Sequence, residues 1–171
     1  MEQGRVHIYC GEGKGKTSAA LGLALRACGA GLQVTVARFL KDAHSGEVAA
    51  LSHLPGVRLL PAPDRMKFLW DMTEEEKSAC AKDCQALLRA AIDTPCDVMI
   101  LDEIIPAIGT GLIPENMLLT FLDQAGPRPE VVLTGRDPSP ALLKRADYIS
   151  EILCRRHPYN DGLPARRGIE Y

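Results

Sequence analysis

The sequence is poor in aromatic residues. Three Phe, four Tyr and one Trp make up 5% of 171 residues, so any aromatic in an unusual place draws notice. It also lacks charge of one sign: the formal net charge is −2, which offers no global attraction for nucleic acid or an anionic membrane. No apolar run reaches the ~20 residues of a membrane-spanning helix. The N-terminus has no basic region followed by a long apolar core, so no signal peptide is expected and a cytoplasmic location is. Six cysteines stand at 10, 28, 80, 84, 96 and 154, with no Cys-x-x-Cys pair. That spacing argues against a zinc ribbon or a redox dithiol and for the reduced thiols of a cytosolic protein. Internal repeats and low-complexity tracts are absent. What remains, 46% hydrophobic and 25% charged residues, describes one ordinary globular domain over 1–171.

What is present begins with a glycine-rich stretch, Gly11-Glu12-Gly13-Lys14-Gly15-Lys16-Thr17-Ser18, between the apolar run 6–10 and an Ala/Leu-rich segment. Glycines let the backbone curl so that N–H groups face phosphate oxygens, and the following helix adds its positive end. Lys16 supplies a fixed charge, and the Thr17 hydroxyl is placed to ligate magnesium. The loop is one residue shorter than the usual phosphate-binding pattern, because Cys10 stands where the first glycine belongs. A tight strand-to-helix turn is the plainer alternative.

A second motif is the apolar run 97–101 ending in Asp102-Glu103, which reads as the acidic, metal-holding partner of a phosphate loop. The plainer alternative is a solvated acidic turn. Strands are expected at 5–10, 33–40, 57–60, 97–103, 130–136 and 148–153. Helices are expected at 16–30, 45–53, 74–93 (opened by the capping box Thr73–Glu76), 114–125 with Pro114 in its first position, and from Pro140. This alternation predicts an α/β fold of the P-loop NTPase-like, RecA-like class, with a mostly parallel six-stranded sheet and helices on both faces. Lys41 and Arg136 each follow a strand's carboxyl end, where such sheets bind ligands. Residues 155–171, rich in arginine, are expected to be a flexible tail. These residues predict an ATP-binding domain, either a hydrolase or a transferase.

Taken together, GEGKGKTSAALGLALRACGAG, VARFLK, SGE at 45–47, FLW at 68–70, LDE at 101–103, EVVLTGR at 130–136 and the terminal HPYNDGLPARRGIEY resemble the ATP:corrinoid adenosyltransferase (cob(I)alamin adenosyltransferase) family almost from end to end. The shortened loop is typical of that family. The resemblance implies transfer of the 5′-deoxyadenosyl group of ATP to the Co(I) centre of a reduced corrinoid, with release of triphosphate. It implies that Gly11–Ser18 and Lys41 hold the triphosphate; for Lys41 and Arg136 the shared edge with the loop favours phosphate contact over a solvated strand-end charge. It also implies that Thr17 with Asp102 or Glu103 holds Mg2+ or Mn2+. Phe68 and Trp70 match an aromatic pair that packs under the corrin ring; without the resemblance, core packing would be preferred for both. A homodimer and a flavin-dependent reductase are implied as partners. Two departures stand out: the first strand begins almost at Met1, where members often carry a helical extension, and Arg38 stands where Gln is common. The competing readings are an ATPase or phosphotransferase on the same scaffold, and a non-catalytic ATP-binding module.

Overall fold

The computed structural model describes residues 4–41, 45–62, 67 and 69–170. Six strands, β1 (Val6–Cys10), β2 (Val34–Arg38), β3 (Val57–Leu59), β4 (Val98–Asp102), β5 (Glu130–Thr134) and β6 (Tyr148–Glu151), pair in the order β3-β2-β4-β5-β1-β6. Every pairing is parallel. The helices are α1 (Lys16–Gly29), α2 (Gly46–Leu51), α3 (Glu74–Asp93), α4 (Ile104–Gly109), α5 (Glu115–Leu122) and α6 (Pro140–Arg145).

Parallel strands need crossover helices, so both sheet faces are covered and the strands read as continuous apolar runs. The period-2 alternation then divides each strand between two cores. Val98, Ile100 and Val132 pack with Val34, Val36 and the small face of α1, Ala20, Ala24 and Ala27. Met99, Leu101, Val131 and Leu133 pack on the other side with Leu88, Ile104, Leu118 and Leu142 of α3–α6. The alanine stripe lets α1 lie close to the sheet, which brings the loop before it near the strand ends. The edge strand β6 is exposed along its whole length.

Local chemistry explains the boundaries. Thr73 caps α3 reciprocally: its Oγ1 accepts from Glu76 N–H at 3.2 Å, and Glu76 Oε2 accepts from Thr73 N–H at 3.0 Å. Pro114 caps α5 from outside with extended backbone rather than starting the helix. Ser45 precedes α2, but its hydroxyl makes no cap; it accepts from the buried guanidinium of Arg38. Helix α4 was not expected: six residues with a continuous apolar run show no helical period to read.

Candidate active site

The carboxyl ends of β1, β2, β4 and β5 gather the loop, Lys41, Asp102, Glu103 and Arg136 on one edge of the sheet. A cavity of about 770 Å³ there is lined by residues 12–18, Lys41, Glu47, Glu103 and Arg136, and from the tail by His157 and Glu170.

Its centre is a hydrogen-bonded cluster. Asp102, 1% exposed at the end of β4, accepts from Thr17 Oγ1 at 2.9 Å and Thr134 Oγ1 at 2.7 Å through Oδ1. Lys41 Nζ donates to Asp102 Oδ2 at 2.7 Å and to Thr17 Oγ1 at 2.9 Å. A buried carboxylate needs such partners, since an unpaired one costs several kcal/mol (about 3–5). Thr134 also accepts from Glu103 N–H at 2.8 Å, which ties the turn after β4 to β5. β5 lies between the loop strand and the acidic strand; its Thr134 side chain holds the acidic turn, while Thr17 makes the direct link from the loop to Asp102.

Glu103 has a left-handed backbone, φ 59°, and caps α4. Such a conformation in a non-glycine residue is held only by its surroundings. Its carboxylate shares the cavity edge with four charges. Burial, then the Asp102 carboxylate, push its pKa up, while Lys41, Lys16 and Arg136 pull it back.

The loop is pinned from two sides. Gly11 N–H donates to the Arg136 carbonyl at 3.1 Å and Gly13 N–H to the Ile152 carbonyl at 2.7 Å. These two N–H groups therefore hold the loop to the ends of β5 and β6, which differs from the expectation that successive glycine N–H groups face phosphate. Lys16 Nζ folds over the loop and donates to the carbonyls of Gly11 and Gly13 at 2.6 and 2.8 Å. Glu12 pairs with Arg136 at 3.0 Å, both half-exposed or more. Gly15 turns the chain into α1 with φ 119°, and Ser18 lies in the first turn of that helix, where it lines the cavity.

The donor set fits a magnesium-type ion. Thr17 and Asp102 offer hard oxygens, and the Lys41 ammonium lies between them where a cation is wanted. Among the described residues no group of three or more His, Cys, Asp or Glu could hold a metal alone. Such an ion would need substrate oxygens to complete its shell, as Mg2+ usually does.

The aromatic pair divides. Phe68 lies outside the described residues. Trp70 sits in a single turn, Leu69–Asp71, and is 78% exposed, whereas its neighbour Leu69 packs against the core. Core packing is thus excluded for Trp70. A second cavity, about 550 Å³, opens beside this segment between the end of β2 and α3, and Phe39, Leu40, Met72, Cys84 and Leu87 line it. No signal in the sequence picked out Thr134, whose partner Asp102 stands 32 residues away, or the reach of Glu170 to Lys14 across 156 residues.

The model of the family described as "ATP:corrinoid adenosyltransferase BtuR/CobO/CobP" matches residues 2–171. The chain belongs to the ATP:corrinoid adenosyltransferase family. A corrinoid adenosyltransferase of Escherichia coli strain K12 is 31% identical over 172 residues, 99% of this chain and 87% of that protein. The corrinoid adenosyltransferase CobA of Salmonella typhimurium is 29% identical, covering 99% and 87%. That of Pseudomonas aeruginosa is 28% identical, covering 99% and 85%. Membership of this transferase family favours adenosyl transfer over the ATPase and phosphotransferase readings. No helix of the described residues is long and apolar enough to cross a membrane.

Proposed function

We propose that the protein transfers the 5′-deoxyadenosyl group of ATP to the Co(I) centre of a reduced corrinoid. The cobalt donates an electron pair to C5′, the Co–C5′ bond forms, the C5′–O bond breaks, and triphosphate leaves with that bond's electrons. Co(I) is a strong nucleophile, so no protein base is needed. The chain's part is to align C5′ with cobalt, bind the departing charge and exclude water.

The observation that carries this reading is the meeting of Thr17, Lys41 and Asp102 beside the loop Gly11–Ser18. Two unit charges at 4 Å interact by about 1 kcal/mol in water and about 4 kcal/mol at an effective dielectric of about 20, so a half-buried edge strengthens every phosphate contact. In this reading Lys14, Lys16, Lys41 and Arg136 surround the triphosphate. Thr17 and Asp102 hold Mg2+, with Glu103 next to it; the ion would neutralise the leaving group. Trp70, with Phe68, walls the corrin face with apolar surface that offers cobalt no ligand. A flavin-dependent reductase would supply the reduced corrinoid, and the enzyme would act as a homodimer.

The test is a product assay. The protein is mixed without oxygen with Mg-ATP and a chemically reduced corrinoid, and the corrinoid spectrum and phosphate products are followed together. A light-sensitive alkyl-cobalt spectrum with one triphosphate per turnover is expected. ADP and phosphate, with the corrinoid unchanged, would overturn the proposal.

A further inference from the structure

The C-terminal segment returns to the nucleotide cavity and brings a carboxylate with it. Glu170 Oε1 accepts from Lys14 Nζ at 3.0 Å and from Arg166 NH2 at 3.1 Å. Its Oε2 accepts from Arg166 N–H at 2.8 Å and Arg166 Nε at 3.2 Å. One loop lysine, one two-pronged guanidinium and one backbone N–H thus converge on a single anion. That donor set suits a phosphate as well as a carboxylate, since a guanidinium fork binds either through two parallel bonds. Gly168, Ile169 and His157 line the same cavity as the loop, so the anion lies at the cavity's tail side rather than on a remote surface. Lys16 is turned onto the loop carbonyls. Lys14 is the loop cation that reaches outward, and it already holds an anion.

We propose that Lys14, the Arg166 guanidinium and the Arg166 N–H form a subsite for the outer end of the triphosphate, and that Glu170 fills it until a substrate phosphate displaces the carboxylate. The inference rests on the reading that the loop binds the triphosphate of ATP. It adds Arg166 as a binding residue supplied by the tail, and Glu170 as the group that vacates for it. Displacement is a contest between anions. Arg166, then Lys14 and the Arg166 N–H, hold the Glu170 pKa down to about 2, so the carboxylate is ionised at any working pH. A phosphate end with higher charge and a third oxygen wins the same donors, and Glu170 retakes them after the triphosphate departs.

The experiment is calorimetric titration of inorganic triphosphate into the full chain and three variants. Glu170→Gln removes the competing charge and keeps the shape, so affinity should rise about two- to fivefold, the range of an exposed ion pair. Arg166→Ala should lower affinity about tenfold through loss of a charge-assisted fork. Lys16→Ala tests the underlying loop reading and should abolish binding. A gain in Glu170→Gln cannot come from misfolding. Unchanged or weaker binding in Glu170→Gln, or unchanged binding in Arg166→Ala, overturns the subsite while Lys16→Ala still loses binding. Intact binding in Lys16→Ala overturns the loop reading, and the subsite with it.

Discussion

Lys41 Nζ stands 2.7 Å from Asp102 Oδ2, joining the segment after β2 to the end of β4 across a buried carboxylate. The same ammonium reaches Thr17 Oγ1, so one cation links the three elements that a metal-bound triphosphate would have to bridge. The pair is asymmetric: Asp102 is 1% exposed and the Lys41 side chain 25%.

That asymmetry sets the first prediction. Lys41→Met leaves Asp102 with two hydroxyl donors and no cation. Because Lys41 is partly in water, the cost should fall below that of a fully buried pair, about 2 kcal/mol. Magnesium should recover more stability in this variant than in the unaltered protein, because it supplies the missing charge. Urea unfolding with and without Mg2+ measures both. An identical magnesium response in the two proteins would remove the metal role assigned to Asp102.

Trp70 should separate stability from activity. At 78% exposure it contributes little to the core, so Trp70→Ala should change unfolding by no more than about 0.5 kcal/mol. ATP affinity should hold while adenosylation starting from Co(II) falls sharply. Parallel loss of ATP binding and adenosylation would sink the corrin role.

The loop glycines should differ in a way that sequence cannot rank. A Cβ at Gly11 would come within 2.7 Å of the Ile152 carbonyl, whereas one at Gly15 meets nothing within 4 Å. Both have positive φ, 97° and 119°, so alanine strains either by about 1–2 kcal/mol. Gly11→Ala should cost about 1–3 kcal/mol more through overlap with β6's end. Equal midpoints in thermal or urea unfolding would refute this account of how the loop is held.

Thiol reactivity should follow burial. The Cys84 pKa is pushed up to about 12, first by burial and then by neighbouring Cys80, so its thiolate at pH 8 is about one part in 10⁴. Cys154 is exposed. Brief alkylation at pH 8 read by mass spectrometry should label Cys154 first and Cys84 last. Early labelling of Cys84 would show that α3 opens from the sheet.

Much of this architecture was legible because it is local. The strand runs, the Thr73–Glu76 capping box and the loop between β1 and α1 each depend on residues a few positions apart, and period or motif reveals them. The apolar β4 run ending in Asp102-Glu103 is of the same kind. Helix α4 escaped because six continuously apolar residues carry no period. The Ser45 cap failed because a buried guanidinium from β2 competed for its hydroxyl.

Chain order alone thus determined a parallel α/β sheet, a glycine-rich strand-to-helix loop and an acidic strand end, since these follow from spacing and side-chain chemistry. Only the tertiary structure decided how they meet. The order β3-β2-β4-β5-β1-β6 inserts β5 between the loop strand and the acidic strand, which sets Thr134 beside Asp102. The Gly11 and Gly13 N–H groups turn to the strand ends, and Glu170 returns across 156 residues to Lys14. Contacts of that range depend on sheet order and on competition among donors for the same few acceptors, neither of which is written in any local stretch.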